Sequence, residues 1–129
     1  MTATRNTVAV TLQLPPQALS HNGRLTRYAL HRTTQDHQAI AAYAIRSILR
    51  GQHEPWTGPV SVHVRWFGRA GPIPDEANVI ERLSAYLDGA QHAGLFVNDR
   101  QISGFTVERG YDRERPRVEL AFHHEAIEP

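Results

Sequence analysis

The chain contains no cysteine and no lysine. Without cysteine there can be no disulfide, no zinc–thiolate site and no thiol nucleophile, which agrees with a reducing compartment without requiring one. Without lysine, all 14 cations are arginine, so no lysine ammonium can serve in chemistry, although guanidinium suits bidentate contact with phosphate. The net charge of +1 is too small to announce a polyanion binder, and any nucleic-acid contact must come from arginine concentrated locally. No apolar run approaches the roughly 20 residues that span a bilayer. The first ten residues, MTATRNTVAV, lack the basic-then-apolar plan of a signal peptide, so a cytoplasmic protein without membrane contact is expected. Two motif classes are missing as well. The eight histidines show no HExxH or comparable metal spacing, and Gly68 and Gly71 sit in a Pro-containing loop with no following Lys-Ser or Lys-Thr.

What is present fits one domain over residues 1–129, with 40% hydrophobic residues to furnish a core. Thr7 to Leu14 alternates β-branched or apolar with polar residues and stops at Pro15-Pro16, so it reads as a strand. Ser20 to Arg32 has Asn22-Gly23 turn chemistry and no clear periodicity; it reads as a basic loop carrying Arg24, Arg27 and Arg32, either solvated or a phosphate-contacting arm. Thr33 or Thr34 then caps a helix to about Arg50, with Ile40, Ala41, Ala44, Ile45 and Ile48 as its buried stripe and Gly51 as its stop. Val60 to Phe67 alternates as a second strand, and the Gly/Pro loop 68–74 that follows has Arg69 as its single charge. Ile102 to Arg109 and Arg117 to His123 read as two strands joined as a hairpin. The element order is therefore β-α-β-α-β-β, a single α/β (α+β) domain whose mixed sheet is covered by two helices.

The stretch from Asp75 to Gln101 organises the chain. Val79, Leu83, Tyr86, Leu87 and Ala90 recur at helical spacing and form the stripe of an amphipathic helix lying on a sheet, with acids gathered at both ends. Within it, Asp-x-x-Asn at 75–78, Leu-Asp-Gly at 87–89, His-Ala-Gly at 92–94 and Asn-Asp-x-Gln at 98–101 occur in order. This succession resembles the RusA family of Holliday junction resolvases, small nucleases common in prophages. Asp75, Asn78, Asp88, Ala93, Gly94, Asp99 and Gln101 fall on the family pattern, whereas Ala77 replaces its second Asp, Ser84 its lysine and Asn98 the first Asp of the turn.

The resemblance implies a RusA-like fold and a magnesium-dependent, structure-selective endodeoxyribonuclease acting as a homodimer on branched DNA in recombination and repair. Hydrolysing a phosphodiester needs an activated water and relief of charge on the leaving oxygen, and magnesium held by clustered carboxylates supplies both. Asp75 at the strand-to-helix junction and Asp99 on the following turn are expected to converge if the helix folds back along the second strand. Helix geometry adds Glu81: it lies one turn on from Ala77 in the same row and is the candidate replacement for the missing carboxylate, as a third metal ligand. Asn78 and Asp88 are expected to support these acids from behind, and Arg24, Arg27, Arg32 and Arg69 to contact DNA. The losses at Ala77 and Ser84 motivate a rival reading, a junction-binding or regulatory protein that keeps the fold without hydrolysis.

Overall fold

The computed structural model describes residues 6–19 and 26–125. Four strands form one sheet: β1 (Thr7–Leu12), β2 (Val60–Gly68), β3 (Ile102–Tyr111) and β4 (Arg117–His124), in the spatial order β1-β4-β2-β3. Period-two alternation decides which side of each strand is buried. Val8, Val10 and Leu12 of β1, Val60, Val62, Val64 and Trp66 of β2, and Val118, Leu120 and Phe122 of β4 all face one layer of helices. That layer consists of α1 (Arg27–Leu49), α2 (Glu76–Arg82) and α3 (Ser84–His92). Among the described residues no helix covers the opposite face of the sheet. His63 and Arg65 of β2 there share the Glu108 carboxylate at 2.7 and 3.4 Å, and Arg117 lies 4.3 Å over the Phe67 ring. Arg117 also closes the turn after β3, and its hydrogen bond holds the Asp112 carboxyl below the usual range.

Four expectations about elements need correction. The first helix begins at Arg27, capped by Thr26, whose side chain accepts from the Ala29 N–H at 3.1 Å. Thr34 lies inside it and donates back to the Leu30 carbonyl. Its first turns bury nothing fully, the first buried residue being His37, so no apolar periodicity marks the true start. The second helix is two helices that meet at Leu83, whose N–H is shared between the Val79 and Ile80 carbonyls. Its stripe is nonetheless buried from Val79 to Ala90.

The third correction is to the hairpin. β3 pairs parallel with β2, and β4 pairs antiparallel with both β2 and β1, so β2 lies between the two strands expected to be neighbours. Their five-residue connection spans one strand instead of turning between adjacent ones. β1 also stops two residues early, and the Gln13 carbonyl accepts from the Tyr86 hydroxyl at 2.7 Å. No helix among the described residues is long and apolar enough to cross a membrane.

Candidate active site

Asp75 is presented by the loop that leaves β2. The loop is tied down at three points: the Asp112 N–H donates to the Gly68 carbonyl at 2.9 Å, the Tyr111 hydroxyl to Gly71 at 2.7 Å, and Arg109 Nη1 to Pro74 at 3.2 Å. Asp75 itself has extended backbone and caps α2; its Oδ1 accepts both the N–H and the Nδ2 of Asn78, at 2.9 and 3.0 Å. Capping is an ordinary task for an aspartate. The second bond, from the Asn78 amide, holds the carboxylate oxygen as well. Asp75 is exposed to solvent.

Asp99 opens the 3-10 turn Asp99–Gln101 and is also exposed. Four side-chain hydrogen bonds fix its backbone. Asn98 accepts from the Arg100 N–H, Gln101 Oε1 accepts from the Val97 and Asn98 N–H groups, and Gln91 Oε1 accepts from the Asp99 N–H at 3.2 Å. Gln101 Nε2 meanwhile donates to the carbonyls of Trp56 and Gly58, which fastens the turn beside the start of β2. Sequence reading missed Gln91 and the anchoring residues Arg109 and Tyr111. Gln101 was legible only as part of the matched turn, although its Asn98-x-x-Gln101 spacing is that of a capping box.

The expected convergence of Asp75 with Asp99 does not occur within one chain. Val60 pairs with Ile102 and Gly68 with Tyr111, so Asp99 stands at the beginning of the β2–β3 pair and Asp75 at its end. At about 3.3 Å per residue the strand pair between those two ends is roughly 25 Å long. The reason is topological: a helix joining two adjacent parallel strands must carry the chain back to the end where the first strand started. Glu81, half-buried on α2, lies on the Asp75 side of the crossover. Among the described residues no group of three acidic or histidine side chains is spaced to hold a metal ion, so the three-ligand set of Asp75, Asp99 and Glu81 is not assembled by a single chain.

The remaining candidates sit as follows. Asp88 is half-buried and accepts from Gln38 Nε2 at 3.2 Å, a bond that ties α3 to α1. Ser84 is exposed. Arg82 is turned toward the sheet, its guanidinium 5.8 Å from the Trp66 ring centroid, where burial lowers its pKa. Arg27 and Arg32 are exposed on the first turns of α1, and Arg69 is exposed on the loop before Asp75. Arg24 lies outside the described residues. His37 is buried against Tyr86, and His124 stacks 5.3 Å from Trp56, so both are packing groups.

Two exposed carboxylates thus stand at opposite ends of one crossover in a small α+β protein, with exposed arginines on the first turns of its first helix. Its family follows from comparison: the model described as endodeoxyribonuclease RusA matches residues 14–122. The chain belongs to the RusA family of Holliday junction resolvases. No curated protein matches it.

Proposed function

We propose that this protein is a magnesium-dependent endodeoxyribonuclease that resolves four-way DNA junctions during recombination and repair, working as a homodimer in a phage or prophage setting. The family match over most of the chain carries the reading. Local chemistry supports it. Asp75 and Asp99 offer hard oxygen donors of the kind magnesium takes, the Asp75 carboxylate held by two hydrogen bonds from Asn78 and the Asp99 turn by bonds from Gln91 and Asn98. Arg27, Arg32 and Arg69 provide exposed guanidinium groups for phosphate, with Arg24 as a fourth by sequence. Symmetric resolution requires two strands to be cut, which one site per chain achieves in a two-fold dimer.

A second reading is favoured by specific residues: Ala77 and Ser84 stand where the family pattern has an acid and a lysine, and one chain does not gather three ligands. Under it the protein binds junctions without cutting them. Purified protein incubated with a four-way junction, with and without magnesium, separates the two. Nicking that depends on magnesium supports the enzyme, and binding without nicking supports the second reading. Failure to bind the junction at all overturns both.

A further inference from the structure

We infer that the outward ridge of α1 is a second DNA surface, which holds an unpaired strand by stacking its bases on Tyr28 and Tyr43 and meeting its phosphates with arginine. The inference rests on the reading that this protein acts on branched DNA, and it adds a place for a strand that leaves the branch. Three observations carry it.

The first is the alignment of two residue types. Tyr28, Arg32, Ala39, Tyr43 and Arg46 recur at helical spacing, and at about 100° per residue all five fall within about 60° of one another. All are exposed, and the two tyrosines, at 75% and 77%, are more so than any other large apolar side chain among the described residues. Rings this exposed add little to the core. Aromatic rings alternating with arginines along one line suit a single strand, since every base has a face to stack and every phosphate a charge to meet. The tyrosines stand about 22 Å apart at 1.5 Å per residue, which leaves room for several nucleotides.

The second is charge. From Arg27 to Arg50 there are four arginines and one acid, Asp36, a net of +3 in a chain whose whole is +1. The helix dipole favours cations in the last turn, which accounts for Arg46, and disfavours them in the first. Yet Arg27 opens α1, and no acid occupies that turn. Stability of the helix does not call for arginine at both ends, whereas a polyanion lying along it does.

The third is Arg50, which ends the ridge with left-handed backbone at φ 55°, the only positive φ outside glycine among the described residues. Glycine or asparagine suits that position better, so an arginine there is kept against the backbone's preference. The ridge also lies in a useful place. Gln38 meets Asp88 and Arg46 meets the His92 carbonyl, so α1 runs beside α3 from the Asp75 end of the sheet toward the Asp99 end.

Binding of a fluorescently labelled oligothymidine to the whole protein, read by anisotropy, tests this. The parent should bind it, and Tyr28→Ala combined with Tyr43→Ala should weaken binding by at least about tenfold. Tyr28→Phe with Tyr43→Phe should bind as the parent does, because stacking needs the ring and not the hydroxyl. An abasic strand, which keeps the phosphates and lacks the bases, should bind the double alanine variant and the parent alike. Arg46→Gln with Arg50→Asn, asparagine being tolerated in left-handed backbone, should reduce the slope of log affinity against log salt by about 1.4. Tyr43→Trp adds a direct signal: the native Trp56 and Trp66 are buried, so quenching of the added exposed indole by oligothymidine reports stacking at that position. No binding by the parent, equal binding by the double alanine variant, or no quenching overturns the inference. Polyglutamate binding as tightly as oligothymidine also overturns it and assigns the ridge to an acidic protein. None of these readouts involves cutting, so a parent that binds oligothymidine and never nicks a junction loses the nuclease reading and keeps this one.

Discussion

Gly89 explains what the Leu-Asp-Gly motif does. A Cβ on Gly89 would meet the Gln38 carbonyl and stand 2.8 Å from Ala41 Cβ, so glycine is what lets α3 lie directly on α1. Asp88 beside it takes the Gln38 amide across the same contact. Gly89→Ala should therefore cost about 3 kcal/mol by overpacking, read as a fall in the denaturant midpoint at unchanged slope. His37, on the same helix pair, sets a pH dependence. The Tyr86 hydroxyl gives its one proton to the Gln13 carbonyl, so His37 Nδ1–H must be the donor in their 3.0 Å contact. Burial lowers the His37 pKa, with Asp36 opposing. The unfolded chain then binds more protons between the folded pKa and the ordinary value of about 6.5, so stability present above that value is lost as pH falls through the window. The melting temperature should drop on acidification from about pH 7 to about 5, and His37→Gln should flatten that slope, because glutamine can still donate to Tyr86 but does not titrate. Glu81 poses a catalytic question at the same scale. If it replaces the carboxylate lost at Ala77, Glu81→Gln should cut on the order of 100-fold more slowly with junction binding intact. Cutting at the parent rate would leave the site to Asp75, Asp99 and water.

At the scale of elements, burial pattern was the legible signal and connection geometry was not. β2 and the stripe from Val79 to Ala90 were readable because each buries one side at its own period. The start of α1 was not, since Arg27 to Asp36 include no fully buried residue. The order of strands was also hidden: nothing in Ile102–Tyr111 or Arg117–His124 announces that β2 comes between them, because pairing partners are chosen by the whole sheet. For the site, the candidate acids and their turns were legible but not their separation, which depends on β2 and β3 being parallel neighbours. The early start of α1 alters the basic segment as well. Arg27 and Arg32 are held on helical backbone instead of a loop, so less conformational freedom would be lost on contact with phosphate. Replacing both with alanine should reduce the steepness of junction binding against salt, in a plot of log affinity against log concentration, by about two. An unchanged slope would assign these arginines to plain surface.

For the whole molecule, symmetry matters more than charge. With a net charge of only +1, the protein has little general attraction for DNA, and under the proposed function preference for a junction over a duplex would come from fitting two sites to two strands at once. The two-fold dimer proposed above would carry two sites, related by the same two-fold operation that relates opposed strands of a four-way junction. Both strands are then in place before the first is cut, and the second cut needs no new encounter. On a supercoiled plasmid that extrudes a cruciform, two cuts within one bound complex give a linear product, and a single cut releases the supercoil as a nicked circle. The parent protein should yield mostly linear product from the earliest time points. Dimers combining one parent chain with one Asp75→Asn chain, which keep one intact site of two, should yield nicked circles with almost no linear form. If the parent protein itself accumulates nicked circles first and linearises them only on rebinding, the two sites do not act within one complex, and the dimer would serve binding without coupling the cuts.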